Sequence, residues 1–238
     1  MKKILFCIAG ESPALTHARN QLLSWGYAVT AQPGPEVTHL LLRVPTPEKG
    51  SDLETVLAPF PTDVTVIGGM LPPLPYPKVD LLEDEYYLAE NAAITAHCAI
   101  ALTLSRLEKT ITSLPVLIIG WGRIGKCLAQ LLRSMGAEVT VAVRKEADAA
   151  MLSALGFRAV AIEELEAERY AILYNTAPAP VLHRKDARKD ALLIDLASQK
   201  GIDGEDVVWA RGLPGKMAPE TSGRLIAKTA LRYALRKE

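Results

Sequence analysis

The chain is short of the features that would take it to a membrane, to nucleic acid or to a disulfide scaffold. No run approaches the roughly 20 apolar residues of a membrane span. The apolar stretch from Ile4 to Ala9 is too short for a secretory signal and reads as a first strand. Neither sign of charge is in excess, with 27 Lys and Arg against 27 Asp and Glu, so no nucleic acid or anionic membrane is expected as a partner. The aromatic share is 5%, which leaves little for stacking on bases. Three cysteines, Cys7, Cys98 and Cys127, stand far apart without any Cys or His at metal-ligand spacing. No metal site is expected, and the thiols read as reduced and buried in a cytoplasmic protein. There is no internal repeat.

What is present centres on one stretch. Val116 to Ile119 is an apolar run that reads as a buried parallel strand, and it feeds Gly120-Trp121-Gly122-Arg123-Ile124-Gly125. Apolar residues then recur at helical spacing from Cys127 to Met135. Strand, G-x-G-x-x-G and helix in that order are the context in which glycines bind a dinucleotide. The first glycine permits the turn, the second lets amides approach a pyrophosphate, and the third lets the helix pack on the strand. The helix start offers N–H groups and positive dipole to the phosphates. A second strand, Ala137 to Val143, ends in Arg144 rather than in the Asp or Glu that holds the ribose hydroxyls of NAD. A guanidinium there suits a 2′-phosphate, so NADP is expected with NAD as the alternative; the plainer reading of Arg144 is a solvated strand end.

With 238 residues, 49% hydrophobic and 23% charged, the chain suits one large or two small soluble domains. Strands are expected at Lys3–Ala9, Tyr27–Ala31, Val37–Val44 and Val64–Ile67, with a helix from Ser12-Pro13 to about Trp25 and a short one around Leu53 to Leu57. The proline-rich stretch Gly68 to Pro77 reads as a rigid loop, either a connector or part of a substrate side. Glu83 to Glu90 reads as an exposed helix. Ala92 to Leu107 reads as a separate helix capped by Asn91 and buried all round, at a domain junction. Further strands are expected at Phe157–Ala161, Tyr170–Tyr174, Ala191–Leu196 and Val207–Ala210, and a terminal helix from Pro219 has a solvated basic face (Arg224, Lys228, Arg232, Arg236). The expected class is α/β. A small flavodoxin-like domain, 1–90 completed by helix 219–238, and an interdomain helix, 91–110, precede a Rossmann-type doubly wound parallel sheet, 111–218.

Several of these stretches together resemble the A chains of dipicolinate synthases, within the D-2-hydroxyacid-dehydrogenase-like NAD(P)-binding proteins. They are the glycine stretch 120–125, Gly136 to Arg144, Asn175-Thr-Ala-Pro178, Leu193-Ile-Asp-Leu-Ala-Ser198 and Gly212-Leu-Pro-Gly-Lys-Met-Ala-Pro-Glu-Thr-Ser-Gly223. The resemblance covers about Glu90 onward. It implies NADP-linked oxidation of a dihydrodipicolinate to dipicolinate, with a small dicarboxylate as substrate, a flavoprotein-like B chain as partner, a role in sporulation and a homo-oligomer. It also implies that Asn175, Thr176 and Pro178, then Asp195, Ala197 and Ser198, border the nicotinamide ribose, and that Leu213, Pro214 and Gly215 shape the nicotinamide and substrate pocket. Asp195 reads equally as a loop cap. Where the family has Asn-Ser-Ile-Pro-Thr-x-Glu-Gly, this chain has Asn91-Ala-Ala-Ile-Thr-Ala-His-Cys98, and its first domain is shorter. A regulatory nucleotide-binding protein, or a dehydrogenase for another small acid, is the alternative.

Hydride transfer needs a group to move the coupled proton. Of four histidines, His17, His39 and His183 read as structural or exposed. His97, with Thr95 nearby on the junction helix, is the candidate proton carrier, against the plainer reading of a buried core histidine. Lys216 could pair with a substrate carboxylate or simply face solvent. Arg123 could reach a phosphate. The Arg, Glu and His set of true D-2-hydroxyacid dehydrogenases has no clear counterpart, with Arg211 lacking a matching Glu.

Overall fold

The computed structural model describes residues 3–236 and divides into two compact units, Met1–Asn91 with Pro214–Glu238, and Ala92–Leu213. Residues 1 and 2 of the expected first domain, and 237 and 238 of the expected terminal helix, lie outside the described residues.

In the first unit, β1 (Leu5–Ile8), α1 (Pro13–Ser24), β2 (Ala28–Thr30), β3 (His39–Leu41), α2 (Gly50–Leu57), β4 (Thr65–Gly68) and β5 (Lys78–Asp80) follow one another. The five strands are all parallel, in the order β2-β1-β3-β4-β5, the flavodoxin-like arrangement. The strands are rich in Leu, Val and Ile, and Leu40, Leu42 and Val66 sit in a core with Leu53 and Leu57 of α2. The start of α1 is fixed locally, because Ser12 Oγ accepts the Leu15 amide at 3.1 Å and Pro13 fills the first helical position. The strand β5 escapes a sequence reading because four prolines precede it within six residues. It is tied down by Asp80, whose Oδ2 accepts the Leu71 amide at 2.7 Å and whose Oδ1 accepts that of Leu82 at 2.9 Å.

The expected pair of helices before the fingerprint is one helix, α3 (Glu85–Leu104). No glycine or proline interrupts it, so Asn91 lies inside it and caps nothing. Its first turn is held by Asp84, whose Oδ1 accepts the Tyr87 amide at 2.7 Å. Nor is it buried all round, since Glu90, His97, Ala101 and Leu104 are exposed.

The second unit continues with β6 (Pro115–Ile119), α4 (Arg123–Ser134), β7 (Glu138–Val143), α5 (Glu146–Ala154), β8 (Arg158–Ala161), β9 (Ile172–Asn175), β10 (Leu182–His183), β11 (Leu192–Asp195), β12 (Ile202–Asp203) and β13 (Val208–Trp209). Six of these strands form one parallel sheet in the order β13-β11-β9-β6-β7-β8, the doubly wound Rossmann order. Beneath β9, the buried hydroxyls of Tyr174 and Thr103 share a hydrogen bond, and burial pushes the Tyr174 phenol well above its ordinary range. The strands β10 and β12 pair with each other and were not legible, being two residues each. His183 therefore sits in β10 rather than in a loop, exposed, with Nδ1 3.7 Å from Asp203. The expected glycine-rich loop at Gly212 winds into α6 (Leu213–Met217).

The terminal helix, α7 (Pro219–Ala234), packs on α1 so tightly that a Cβ at Gly223 would lie 2.4 Å from the Ala14 carbonyl oxygen. Its basic face is not merely solvated. Arg232 pairs with buried Asp84, Tyr233 donates to the same carboxylate at 2.7 Å, and Lys228 and Arg232 lie 4.9 and 4.6 Å from the Tyr86 ring. Among the described residues no helix is long and apolar enough to cross a membrane.

Candidate nucleotide site

The glycine stretch behaves in three different ways. Gly120, with φ +101°, turns the chain out of β6, and a Cβ there would lie 2.7 Å from Thr176 Oγ1. A Cβ at Gly125 would lie 2.3 Å from the Gly120 carbonyl oxygen, so this glycine is what lets α4 start directly against the turn. A Cβ at Gly122 would meet nothing within 4 Å. Gly122 is also the N-cap of α4, and no side chain caps that helix. The start of α4 is thus open at Gly122 and free of a side-chain cap, an arrangement receptive to an anion. The bulky member of the loop, Trp121, is turned onto Phe157, 5.9 Å between ring centroids, with Lys126 Nζ 5.9 Å from the indole.

The loops beside this turn are built from two buried polar side chains. Thr176 Oγ1 donates to the Ile119 carbonyl at 2.9 Å, strapping the end of β9 to the end of β6. Asn175 and Asp195 are both fully buried. Asn175 Nδ2 donates to Asp195 Oδ1 and to the Ala177 carbonyl, each at 3.0 Å, while its Oδ1 accepts the Ala177 amide at 2.9 Å. Asp195 Oδ1 accepts the Ala197 amide at 3.0 Å as well, and Oδ2 accepts those of Gly201 and Ile202 at 2.6 and 2.9 Å. The carboxylate is therefore occupied by four internal donors and organises the loop from Leu196 to Ile202. This bonding pattern is that of a loop cap.

The remaining expected residues fall as follows. Pro178 and Ser198 are exposed, and Ala197 is buried with its carbonyl accepting the Trp209 indole N–H at 3.2 Å. Arg123 opens α4, Ile124 follows it half-buried, and Arg144 stands exposed just past β7. Thr95 is buried on α3, but His97 is exposed rather than buried, because it falls on the water-facing stripe of that helix. Burial pushes the neighbouring Cys98 thiol up. Leu213 closes the second unit, while Pro214, Gly215 and Lys216 belong to the first, with Lys216 exposed. Reading the sequence missed Trp209, which is 46% exposed at the end of β13. Its signal was present, a tryptophan two residues before an arginine at a strand's carboxyl end. Among the described residues no three His, Cys, Asp or Glu side chains are grouped to hold a metal ion.

Residues 101–203 match the family model described as D-isomer specific 2-hydroxyacid dehydrogenase, NAD binding domain. The chain is 29% identical over 162 residues to the A chain of dipicolinate synthase of Bacillus subtilis strain 168; the match covers 63% of this chain and 54% of that protein, about half its length. The crystal structure of the dipicolinate synthase A chain from Bacillus halodurans is similar across 100% of this chain and 99% of that one, with a TM-score of 0.85 at 21% identity. The A chain from Bacillus subtilis gives a TM-score of 0.81 at 20% identity, over 98% and 97% of the two chains. The second unit carries a nicotinamide-dinucleotide-binding domain of dehydrogenase type.

Proposed function

We propose that this chain, which belongs to the dipicolinate synthase A-chain family within the D-2-hydroxyacid-dehydrogenase-like proteins, is an NADP-dependent oxidoreductase that oxidises a small cyclic dicarboxylate, dihydrodipicolinate, to dipicolinate. The observation that carries the reading is the open, uncapped start of α4 behind Gly122. Its amides would hold the diphosphate, with Arg123 at hand for a phosphate oxygen. Arg144, at the end of β7, would grip the 2′-phosphate on the adenosine side, which makes NADP the preferred coenzyme. On the other side of β6, the loops fixed by Thr176, Asn175 and Asp195 would give the nicotinamide half a preorganised bed, with Pro178, Ala197, Ser198 and Leu213 along it. A nicotinamide held there would supply the hydride acceptor.

The protein supplies the proton chemistry and the grip on the substrate. His97 is the group this reading asks to take the proton, with an exposed imidazole able to return it to water. Lys216 is the group this reading asks to meet a substrate carboxylate, and Thr95, Pro214 and Gly215 are its further candidates for contact with the substrate or the nicotinamide. A flavoprotein-like B chain, a homo-oligomeric assembly and a cytoplasmic, sporulation-linked setting accompany this reading. Calorimetric titration with NADPH and NADH, followed by turnover of dihydrodipicolinate with and without a B chain, is the test. Turnover with NADP, impaired in His97→Ala at unchanged NADPH affinity, is expected. Absence of turnover in both mixtures would remove the assigned reaction, and a regulatory nucleotide-binding role would take its place, as the altered segment Asn91 to Cys98 favours.

A further inference from the structure

At the edge of the second unit's sheet stands a pair of side chains that nothing above uses. Trp209 ends β13 with 46% of its surface exposed, its indole N–H held by the Ala197 carbonyl at 3.2 Å. The guanidinium of Arg211 lies over that ring, 5.4 Å from its centroid. Among the described residues no carboxylate pairs with Arg211. The hydrogen bond to Ala197 matters because it ties the indole to the loop that Asp195 organises.

We propose that Trp209 and Arg211 recognise the substrate's carboxylated ring, the indole offering a flat apolar face and the guanidinium gripping one carboxylate. The proposal rests on the reading of the site as a dicarboxylate oxidoreductase. A guanidinium resting on an aromatic ring engages it through its face, and its edge N–H donors stay available for a bidentate carboxylate. Position agrees with this role. In an open parallel sheet ligands lie beyond the carboxyl ends of the strands, and Trp209 is at such an end. Arg211 cannot serve the adenosine phosphate instead. Four strand spacings separate β7 from β13, about 19 Å at roughly 4.8 Å each, so Arg144 and Arg211 attend opposite ends of a nucleotide whose diphosphate lies on α4. Leaving a tryptophan face in water without a ligand is unfavourable, and a flat ring that covers it gains from burial and stacking together.

The test is a titration of the full chain with pyridine-2,6-dicarboxylate in the presence of NADP, read by calorimetry and by intrinsic fluorescence. The dicarboxylate is expected to quench a tryptophan signal that Trp209→Phe removes. Arg211→Ala should weaken its binding by about tenfold or more, with Arg211→Lys recovering only part, because an ammonium lacks the planar fork. Both Arg211 variants should bind NADPH as the unaltered chain does. The inference is overturned if Arg211→Ala binds the dicarboxylate with unchanged affinity, if the quench survives in Trp209→Phe, or if the unaltered chain binds NADPH but no dicarboxylate. An unaltered chain that binds no NADPH would instead remove the functional reading, and this inference with it.

Discussion

Asn175 donates a hydrogen bond from Nδ2 to Asp195 Oδ1 at 3.0 Å, joining the ends of two adjacent strands where neither side chain touches water. All four partners of Asp195 are donors, three of them backbone amides. Replacing it by asparagine puts an NH2 against donors whichever way the amide turns. Asp195→Asn should therefore lower unfolding free energy by roughly 2–4 kcal/mol, the cost of leaving buried donors unpaired. Chemical denaturation measures this, and an unchanged midpoint and slope would contradict the bonding described.

Gly122 and Gly125 separate the two demands on the fingerprint. A methyl at Gly125 would collide with the Gly120 carbonyl oxygen at 2.3 Å, and backbone has little freedom to yield. Gly125→Ala should destabilise the fold by about 1–3 kcal/mol in addition to impairing nucleotide binding. A methyl at Gly122 meets nothing within 4 Å. Gly122→Ala should keep the thermal midpoint and weaken NADPH binding, since the methyl would occupy the diphosphate's approach. Calorimetry and thermal melts on the pair check both statements.

These glycines were legible because strand, turn and helix are written in consecutive residues, with Ser12-Pro13 doing the same for α1. Apart from β5 behind its prolines, the strands of both sheets were legible because parallel sheets bury both faces, so their segments are rich in apolar and β-branched residues. The nucleotide domain's order and the small flavodoxin-like sheet follow the expected α/β class. What escaped was set by contacts distant in sequence. Asp84 starts α3 while bonded to side chains about 150 residues away, and no local pattern announces that. His97 read as buried because its neighbours are apolar, yet its helical angle sets it on the exposed stripe. Asp195 sits in a stretch whose family likeness suggests a cofactor contact, and its bonds to Asn175, Gly201 and Ile202 are announced by no local pattern.

Asp84 gives a pH signature. Burial pushes its carboxyl up, but hydrogen bonds from Tyr233, the Tyr87 amide and Arg232, with the charge of Arg232, outweigh this and hold it below its ordinary value. A carboxyl lowered in the folded state stabilises above its unfolded value, near 3.8, and loses that contribution as pH falls through the lowered one. At pH 7 Asp84→Asn should cost about 2–3 kcal/mol, less than the roughly 3–5 of a fully buried pair because a third of Arg232 faces water. Denaturation series from pH 7 to 3 should show the two proteins converging at the acid end. A difference that stays constant to pH 3 would show that the charge of Asp84 does not matter.

The proposed preference for NADP is tested at Arg144. It occupies the strand-end position where an acid would hold the ribose hydroxyls of NAD and would repel a 2′-phosphate. Here the exposed guanidinium, with Lys145 beside it, would offer charge-assisted hydrogen bonds to the phosphate and, unlike an acid, no acceptor to the hydroxyls of NAD. One such bond contributes about 1.5–3 kcal/mol, so NADPH should bind at least about tenfold more tightly than NADH. Arg144→Asp should reverse the order by repelling the phosphate and accepting from the hydroxyls, with the melting temperature hardly moved because the residue is exposed. Arg144→Ala should land between, losing the phosphate grip without acquiring an acceptor. Affinities for both coenzymes across the three proteins are the measurement. If NADH binds the unaltered chain more tightly, or Arg144→Asp leaves the ratio as it was, the 2′-phosphate is not met at β7 and the preference for NADP has no basis in this residue.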